Sequence, residues 1–176
     1  MVSILSSGPS AAPPNLLAVL VIGGGLSGLL VGNGLATAGG PGGNGVSWKL
    51  LEARPITGGR LANDGQGLKI DMGGAWIWPS HQPKIKALVK QLQIETFAQP
   101  DDTSSTRFDG GAVRLIDTFS KNLIDNISLN SPVRKCSKVE NEGEESYVKV
   151  ETTSNEIFRA RRVVLAAPPK LISKHI

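Results

Sequence analysis

A chain of 176 residues can bury one sizeable core, and 40% hydrophobic with 19% charged residues fits a globular protein. The net charge of +4 is scattered, with few aromatics interleaved, which argues against a nucleic-acid partner. A single cysteine, Cys136, rules out an intrachain disulfide and favours a reducing, cytoplasmic setting, and two distant histidines give no metal-ligand spacing.

Residues 1–15 are rich in Ser, Pro and Ala and lack a basic start, so they read as a flexible leader rather than a secretory signal. Residues 16–176 then read as one domain. Leu16–Ile22 is a continuous apolar run, as in a buried parallel strand. A glycine turn follows, then a helix over Leu26–Ala38. Gly32 and Gly34 each weaken that helix by about 1 kcal/mol relative to alanine, so tertiary packing must hold it. Leu16–Leu35 is nearly long enough to cross a bilayer, and Gly24, Gly28 and Gly32 mimic a membrane dimerisation stripe. Three consecutive glycines in its middle, Asn33, and the lack of flanking basic residues argue against a membrane span. Gly39–Gly45 is a loop, and Val46–Leu51 is a second strand ending at the acidic Glu52.

Strand, glycine turn, helix, strand and terminal acid form a βαβ unit that can hold a dinucleotide. Gly23, Gly25 and Gly28 have the G-x-G-x-x-G spacing. Gly23 permits the sharp turn, Gly25 lets a pyrophosphate approach the backbone, and Gly28 lets the helix lie close to the sheet. The helix start near Leu26 offers free N–H groups to phosphates, and Ser27 lies in its first turn. Glu52 is in reach of a ribose hydroxyl pair and repels a 2′-phosphate, so NADP is disfavoured.

Further along, Ala53–Gly67 is loop-like and carries Gly58-Gly59-Arg60. Leu68–Asp71 is a short extended run before Gly73-Gly74-Ala75-Trp76. Pro83–Leu92 is an amphipathic helix with Ile85, Leu88, Val89 and Leu92 on one face. Pro100–Asp109 is polar and reads as a linking loop. Ala112–Leu123 is a further helix, with Val113, Ile116 and Phe119 on its apolar side. Ile127–Leu129 and Val133–Val139 are extended, and Asn141–Ser146 is an acidic turn. Tyr147–Glu151 and Glu156–Ala160 alternate as in an antiparallel meander. Arg162–Ala167 returns as a buried parallel strand stopped by Pro168-Pro169. Trp78 reads as a core aromatic, His81 as a surface histidine and Cys136 as a buried small hydrophobe.

GGGLSG, then LLEARPITGGRL, then IDMGGAWIWPSHQPKIKALVKQL resembles the flavin-containing monoamine and polyamine oxidase family. The resemblance continues through FDGGAVRLIDTFSKNL, the N-S-P-V stretch at Asn130–Val133, and RRVVLAAPP. It implies an α/β, Rossmann-like FAD-binding domain with a parallel sheet and a small meander. It implies that Ser27 and Gly28 sit at the pyrophosphate, with Glu52 at the adenosine ribose and Ala53 and Arg54 beside it. Gly59 and Arg60 belong to the loop that brings a guanidinium to the phosphates or flavin edge. Gly74, Ala75 and Trp76 would line the isoalloxazine, and the Val133 backbone would pair with adenine. The cofactor implied is FAD, and the substrate a small-molecule amine that loses hydride from its α-carbon, with oxygen as reoxidant.

This sequence departs from the family pattern in length. The large substrate domain is missing between the Pro100 region and FDGGAVRL, and no residue matches the family's catalytic lysine. A catalytically incomplete FAD-binding fragment or interaction module is therefore the alternative. A related flavin desaturase or porphyrinogen oxidase, which shares the first two motifs, is a second. An NAD-binding oxidoreductase domain fits less well, given the Gly-Gly-Arg loop and the Gly-Gly-Ala-Trp segment.

Overall fold

The computed structural model describes residues 14–38, 45–61, 71–140 and 145–176. Most of the expected leader, Leu68–Ile70 of the short extended run and residues 141–144 of the acidic turn lie outside them. The first strand, β1 (Leu16–Ile22), leads into helix α1 (Leu26–Thr37) and then β2 (Trp48–Leu51). A short β3 (Trp76–Ile77), helix α2 (Pro83–Gln91), β4 (Thr96–Gln99) and β5 (Asp102–Phe108) follow. Helix α3 (Val113–Asn122) and a 3-10 turn at Ile124–Asn126 lead to β6 (Ile127–Ser128). The chain ends with β7 (Val133–Val139), β8 (Tyr147–Thr152), β9 (Ile157–Leu165) and helix α4 (Pro169–His175).

Six strands form the main sheet in the order β6-β2-β1-β9-β8-β7. β6, β2, β1 and β9 run parallel, and β9, β8 and β7 form the antiparallel meander. The side-chain period of two puts β1 residues on opposite faces of the sheet. Val21 joins Trp48 and Leu50 against Leu29 of α1 and Ile116, Phe119 and Leu123 of the α3 region. Leu20 and Ile22 face the other way, with Leu51, against Val133, Val150 and Ala160 of the meander. Burial on both faces explains the unbroken apolar run of β1.

The glycines of α1 show how a weak helix former is held. A Cβ on Gly32 would approach the Trp48 ring at 2.9 Å, so this glycine lets the helix cross close to β2. No helix among the described residues is long and apolar enough to cross a membrane.

Three sequence expectations need correction. Pro100–Asp109 is not a loop: β5 occupies most of it and is the middle strand of a second sheet, β3-β5-β4. Its face toward α2 is anchored by Phe108, buried with Ile77, Val89, Ile94 and Leu115. Its other residues are hydroxylated or charged and hide the alternation. The last strand of the meander and the returning parallel strand are one element, β9, which pairs with β8 in its first half and with β1 over nearly its whole length. Pro168-Pro169 ends that strand and also begins α4, where Pro169 takes the first helical position.

Candidate cofactor site

The site lies beyond the carboxyl ends of the parallel strands, where β1 has β2 on one side and β9 on the other. Open α/β sheets bind ligands at such a reversal of strand order. A cleft of about 1010 Å³ opens there. Four stretches of chain line it: Gly23–Ser27 after β1, Glu52–Leu61 after β2, Ser131–Val133 before β7, and Leu165–Pro169 with α4.

The glycine turn takes the expected form. Gly23 has φ +109, and a Cβ there would lie 2.8 Å from the Ala166 carbonyl oxygen. A Cβ on Gly28 would collide with the Gly23 carbonyl, so a glycine lets α1 start directly under the turn. Gly25, the residue before the helix, has open space on its Cβ side, with Gly59 Cα nearest at 3.8 Å. The helix start carries no side-chain cap and no acidic residue in its first turn. Its N–H groups therefore face the cleft without a side-chain acceptor, at the positive end of the helix dipole.

Glu52 is 7% exposed although it is a carboxylate. Gly24 N–H donates to its Oε2 at 2.7 Å, and Arg54 N–H donates to its Oε1 at 2.9 Å. Arg54 Nε adds a longer contact to Oε1 at 3.5 Å. Two backbone donors hold the carboxylate at the cleft wall, and each oxygen keeps acceptor capacity for a further donor. The Glu52 carbonyl accepts from Ser131 N–H at 2.9 Å, and that of Arg54 accepts from Asn130 N–H at 3.1 Å. Asn130 reaches its position with φ 52, a conformation that asparagine tolerates better than most residues. These bonds place Ser131, Pro132 and Val133 next to the acid.

The Gly-Gly-Arg loop meets the first turn directly. Gly58 N–H donates to the Gly24 carbonyl at 2.9 Å, and Gly25 and Gly58 form an isolated parallel bridge. Thr57 and Ser120 hydroxyls, 2.7 Å apart, tie this loop to α3. Arg60 is exposed and lines the cleft.

Of the residues picked from sequence, Gly23, Gly25, Leu26, Ser27, Glu52, Ala53, Arg54, Gly59, Arg60, Gly74 and Val133 line this one cleft. Three do not. Gly28 is buried beneath the Gly23 carbonyl, so it shapes the turn without lining the cleft. Ala75 is 2% exposed and packed inside. Trp76 is 49% exposed in the second sheet, with the Arg107 guanidinium 5.3 Å from its ring centroid. Arg107 in turn lies 3.9 Å from Asp71, whose other oxygen accepts from Ala112 N–H at 2.9 Å. Trp78, read as core, is 38% exposed, because β3 lies at the edge of its three-stranded sheet. Cys136 is only half-buried. Sequence reasoning missed the wall made by Leu165, Ala166 and Ala167 with Leu171 and Ile172 of α4. Its signal was present: a returning parallel strand must end at the same crevice as β1.

Two family models match this chain. Residues 21–92 match an NAD(P)-binding Rossmann-like domain, and residues 101–176 match flavin containing amine oxidoreductase. Through these two matches the chain resembles the flavin amine oxidase family, each match covering less than half of this chain. An L-amino acid dehydrogenase of a Synechocystis species is 32% identical over 102 residues, 56% of this chain and 20% of the relative. Polyamine oxidase 5 of Oryza sativa subsp. japonica is 34% identical over 101 residues, 55% of this chain and 18% of the relative. Amine oxidase [flavin-containing] B of Cavia porcellus is 39% identical over 87 residues, 47% of this chain and 15% of the relative. The chain thus matches about a fifth of the length of these curated relatives. Wild-type putrescine oxidase bound to putrescine superposes with a TM-score of 0.74 at 19% identity, covering 92% of this chain and 60% of that chain. At that identity the likeness establishes the fold, a Rossmann-like α/β domain.

Proposed function

We propose that residues 16–176 form an FAD-binding domain and that the chain acts as an amine-oxidising flavoprotein. The observation that carries this reading is the Glu52 carboxylate, buried at the cleft wall and held by Gly24 and Arg54 N–H groups, beside an uncapped helix start. Gly23, Gly25, Leu26 and Ser27 would meet the diphosphate. The helix start there contributes about 0.3–1 kcal/mol, and up to ~2 in a partly buried site. Glu52 would accept from the ribose hydroxyls, with Ala53 and Arg54 alongside. Val133 would pair its backbone with adenine. Gly59, Arg60 and Gly74 would lie toward the flavin, with the Arg60 guanidinium offering charge-assisted hydrogen bonds. Leu165, Leu171 and Ile172 give the cleft an apolar wall that a bound flavin nucleotide would cover. When bound, FAD supplies two-electron chemistry, accepting hydride from the α-carbon of a small amine and passing electrons to oxygen.

A second reading, a binder of FAD without turnover, rests on one observation. Among the described residues, the ionisable side chains lining the cleft are Glu52, Arg54 and Arg60, all assigned here to the cofactor. One experiment orders the two. The purified chain is titrated with FAD, its visible spectrum recorded after gel filtration, and peroxide release measured with putrescine and benzylamine. Retained flavin bands with amine-dependent peroxide support the oxidase. Retained bands without peroxide support the binder. A colourless chain that ignores added FAD overturns both.

A further inference from the structure

The β3-β5-β4 sheet ends on β4, whose one strand neighbour among the described residues is β5. Asp109 N–H donates to the Glu95 carbonyl at 2.9 Å, next to the Thr96–Phe108 pair. Hydrogen-bonded pairs alternate along an antiparallel ladder, so Glu95 and Phe97 bond toward β5. The N–H and C=O groups of Thr96 and Ala98 therefore point away from β5. Edge strands are commonly blocked by a lysine, a proline or an inward charge. Thr96–Gln99 is Thr-Phe-Ala-Gln and carries none of these. Its first three residues are exposed, Phe97 at 47%. Register puts Phe97 in one row with Arg107 and Trp76, on the sheet face opposite the one that Phe108 turns to α2.

A second copy of this chain fits that edge in one register. With a two-fold axis at Phe97, Thr96 of each copy lies opposite Ala98 of the other, and their outward N–H and C=O groups pair at both places. Phe97 meets its counterpart in a non-hydrogen-bonded pair, where facing side chains come closest. An axis at Ala98 would set Thr96 against Pro100, which has no N–H to give. An axis at Thr96 would set Phe97 against the charged Glu95. Charge agrees with the axis at Phe97. That register brings Asp101, in the turn after β4, to Gln93 of the second copy, and Gln93 N–H donates to the carbonyl of Lys90 in the last turn of α2. Lys90 and Asp101 take no part in the ion pairs among the described residues. Opposite charges thus flank β4 at its two ends, and antiparallel pairing brings them together twice. We propose that β4 is a dimerisation edge that joins two copies of this chain into one continuous sheet about a two-fold axis at Phe97. A four-residue strand pair is small beside the about 1,200–2,000 Å² of stable interfaces, so the dimer exchanges with monomer.

This association does not rest on the cofactor reading, and its test is read on the full chain without flavin. Sedimentation equilibrium over a concentration series should give a reversible monomer–dimer equilibrium. F97K, a charge on an exposed edge, should weaken it at least tenfold with an unchanged circular dichroism spectrum. D101K should weaken it too, and K90E/D101K should restore it; this pair of variants decides the matter if F97K loses its fold. Register is read by cysteine capture in a C136S background. F97C should give a disulfide-linked dimer under mild oxidation, whereas E95C, which faces Gln99 of the second copy, should not. A chain that stays monomeric, an open-ended series of larger species, a dimer that a folded F97K leaves intact, a charge swap that restores nothing, or equal capture by E95C and F97C would each overturn the proposal.

Discussion

Glu52→Gln tests the cofactor reading most directly, because the structure fixes what the amide must do. Both carboxylate oxygens accept backbone N–H groups, from Gly24 at 2.7 Å and from Arg54 at 2.9 Å. Glutamine keeps one acceptor oxygen and puts an NH₂ in place of the other. One of the two backbone donors then faces a donor, whichever way the amide is turned. Hydrogen bonds to charged groups contribute roughly 1.5–3 kcal/mol, so removing the charge should weaken FAD by about that much. This corresponds to a loss of about ten- to hundredfold in affinity. The stranded N–H also costs the apo-protein about 1–3 kcal/mol, so the variant should melt earlier without ligand. Flavin fluorescence quenching gives the Kd, and circular dichroism gives the apo stability. A folded variant with wild-type FAD affinity would refute the ribose role. A destabilised variant with wild-type affinity would leave Glu52 as a pin for the glycine turn and nothing more.

The glycines of α1 should separate by position. Gly34→Ala meets nothing within 4 Å and should raise stability by about 0.4–1 kcal/mol through the unfolded state. Gly32→Ala drives a methyl against the Trp48 ring and Gly28→Ala drives one into the Gly23 carbonyl, so each should cost about 1–3 kcal/mol as overpacking. Thermal melts that fail to rank Gly34→Ala above wild type and the other two below it would break the argument. Acid should loosen the meander. Hydrogen bonds from Lys138, Arg161 and Lys149 hold Glu140, Glu145 and Glu151 below the ordinary glutamate value of 4.5. Carboxylates with lowered values stabilise fully above 4.5, and that contribution is lost as pH falls through them. The acid-side drop in Tm should therefore shrink in Arg161→Gln and in high salt, and an unchanged drop in both would count against these pairs. Burial pushes the Cys136 thiol above its ordinary value of 9.0, so iodoacetamide should label the native chain more slowly than the urea-unfolded chain at the same pH. Equal rates would contradict that burial.

The βαβ start was readable because its signals are local. One unbroken apolar run, three glycines at fixed offsets and one acid lie within a few dozen residues. The second sheet was not readable for the opposite reason. β5 is Asp-Thr-Ser-Ser-Thr-Arg-Phe, and its partners β3 and β4 are two and four residues long, so no window carries a clear period. Ser105, 1% exposed, shows that a hydroxyl residue can be as buried as a leucine. Proline misled at Pro168-Pro169, where its role as a strand stop masked its tolerance at the first position of a helix. The missed cleft wall is a different kind of failure. Ala166 and Ala167 carry no chemistry that a motif search would notice, yet they flank the turn because β9 is parallel to β1. Trp76 lies outside the cleft lining and has the Arg107 guanidinium 5.3 Å from its ring centroid, a contact between distant segments that no local motif announces.

Glu52 links the fold to the site. Its carboxylate holds the glycine turn through Gly24, and its carbonyl holds the Ser131 turn, so one residue joins two walls of the cleft. The third wall joins through backbone alone: Ala166 N–H donates to the Ile22 carbonyl at 2.8 Å, one residue before Gly23. The walls come from segments spread over more than a hundred residues of chain, and those after β1, β2 and β9 are aligned by the parallel register of these strands. A dinucleotide spanning these walls would therefore add its binding free energy to the docking of β9 and the meander against β1. By linkage that gain is about 2.7 kcal/mol at a hundredfold excess over Kd. The exposed Leu165 and Leu171, at 46% and 52%, fit the same logic, because apolar surface along a cleft is unfavourable in the free chain and becomes favourable when a planar ligand covers it.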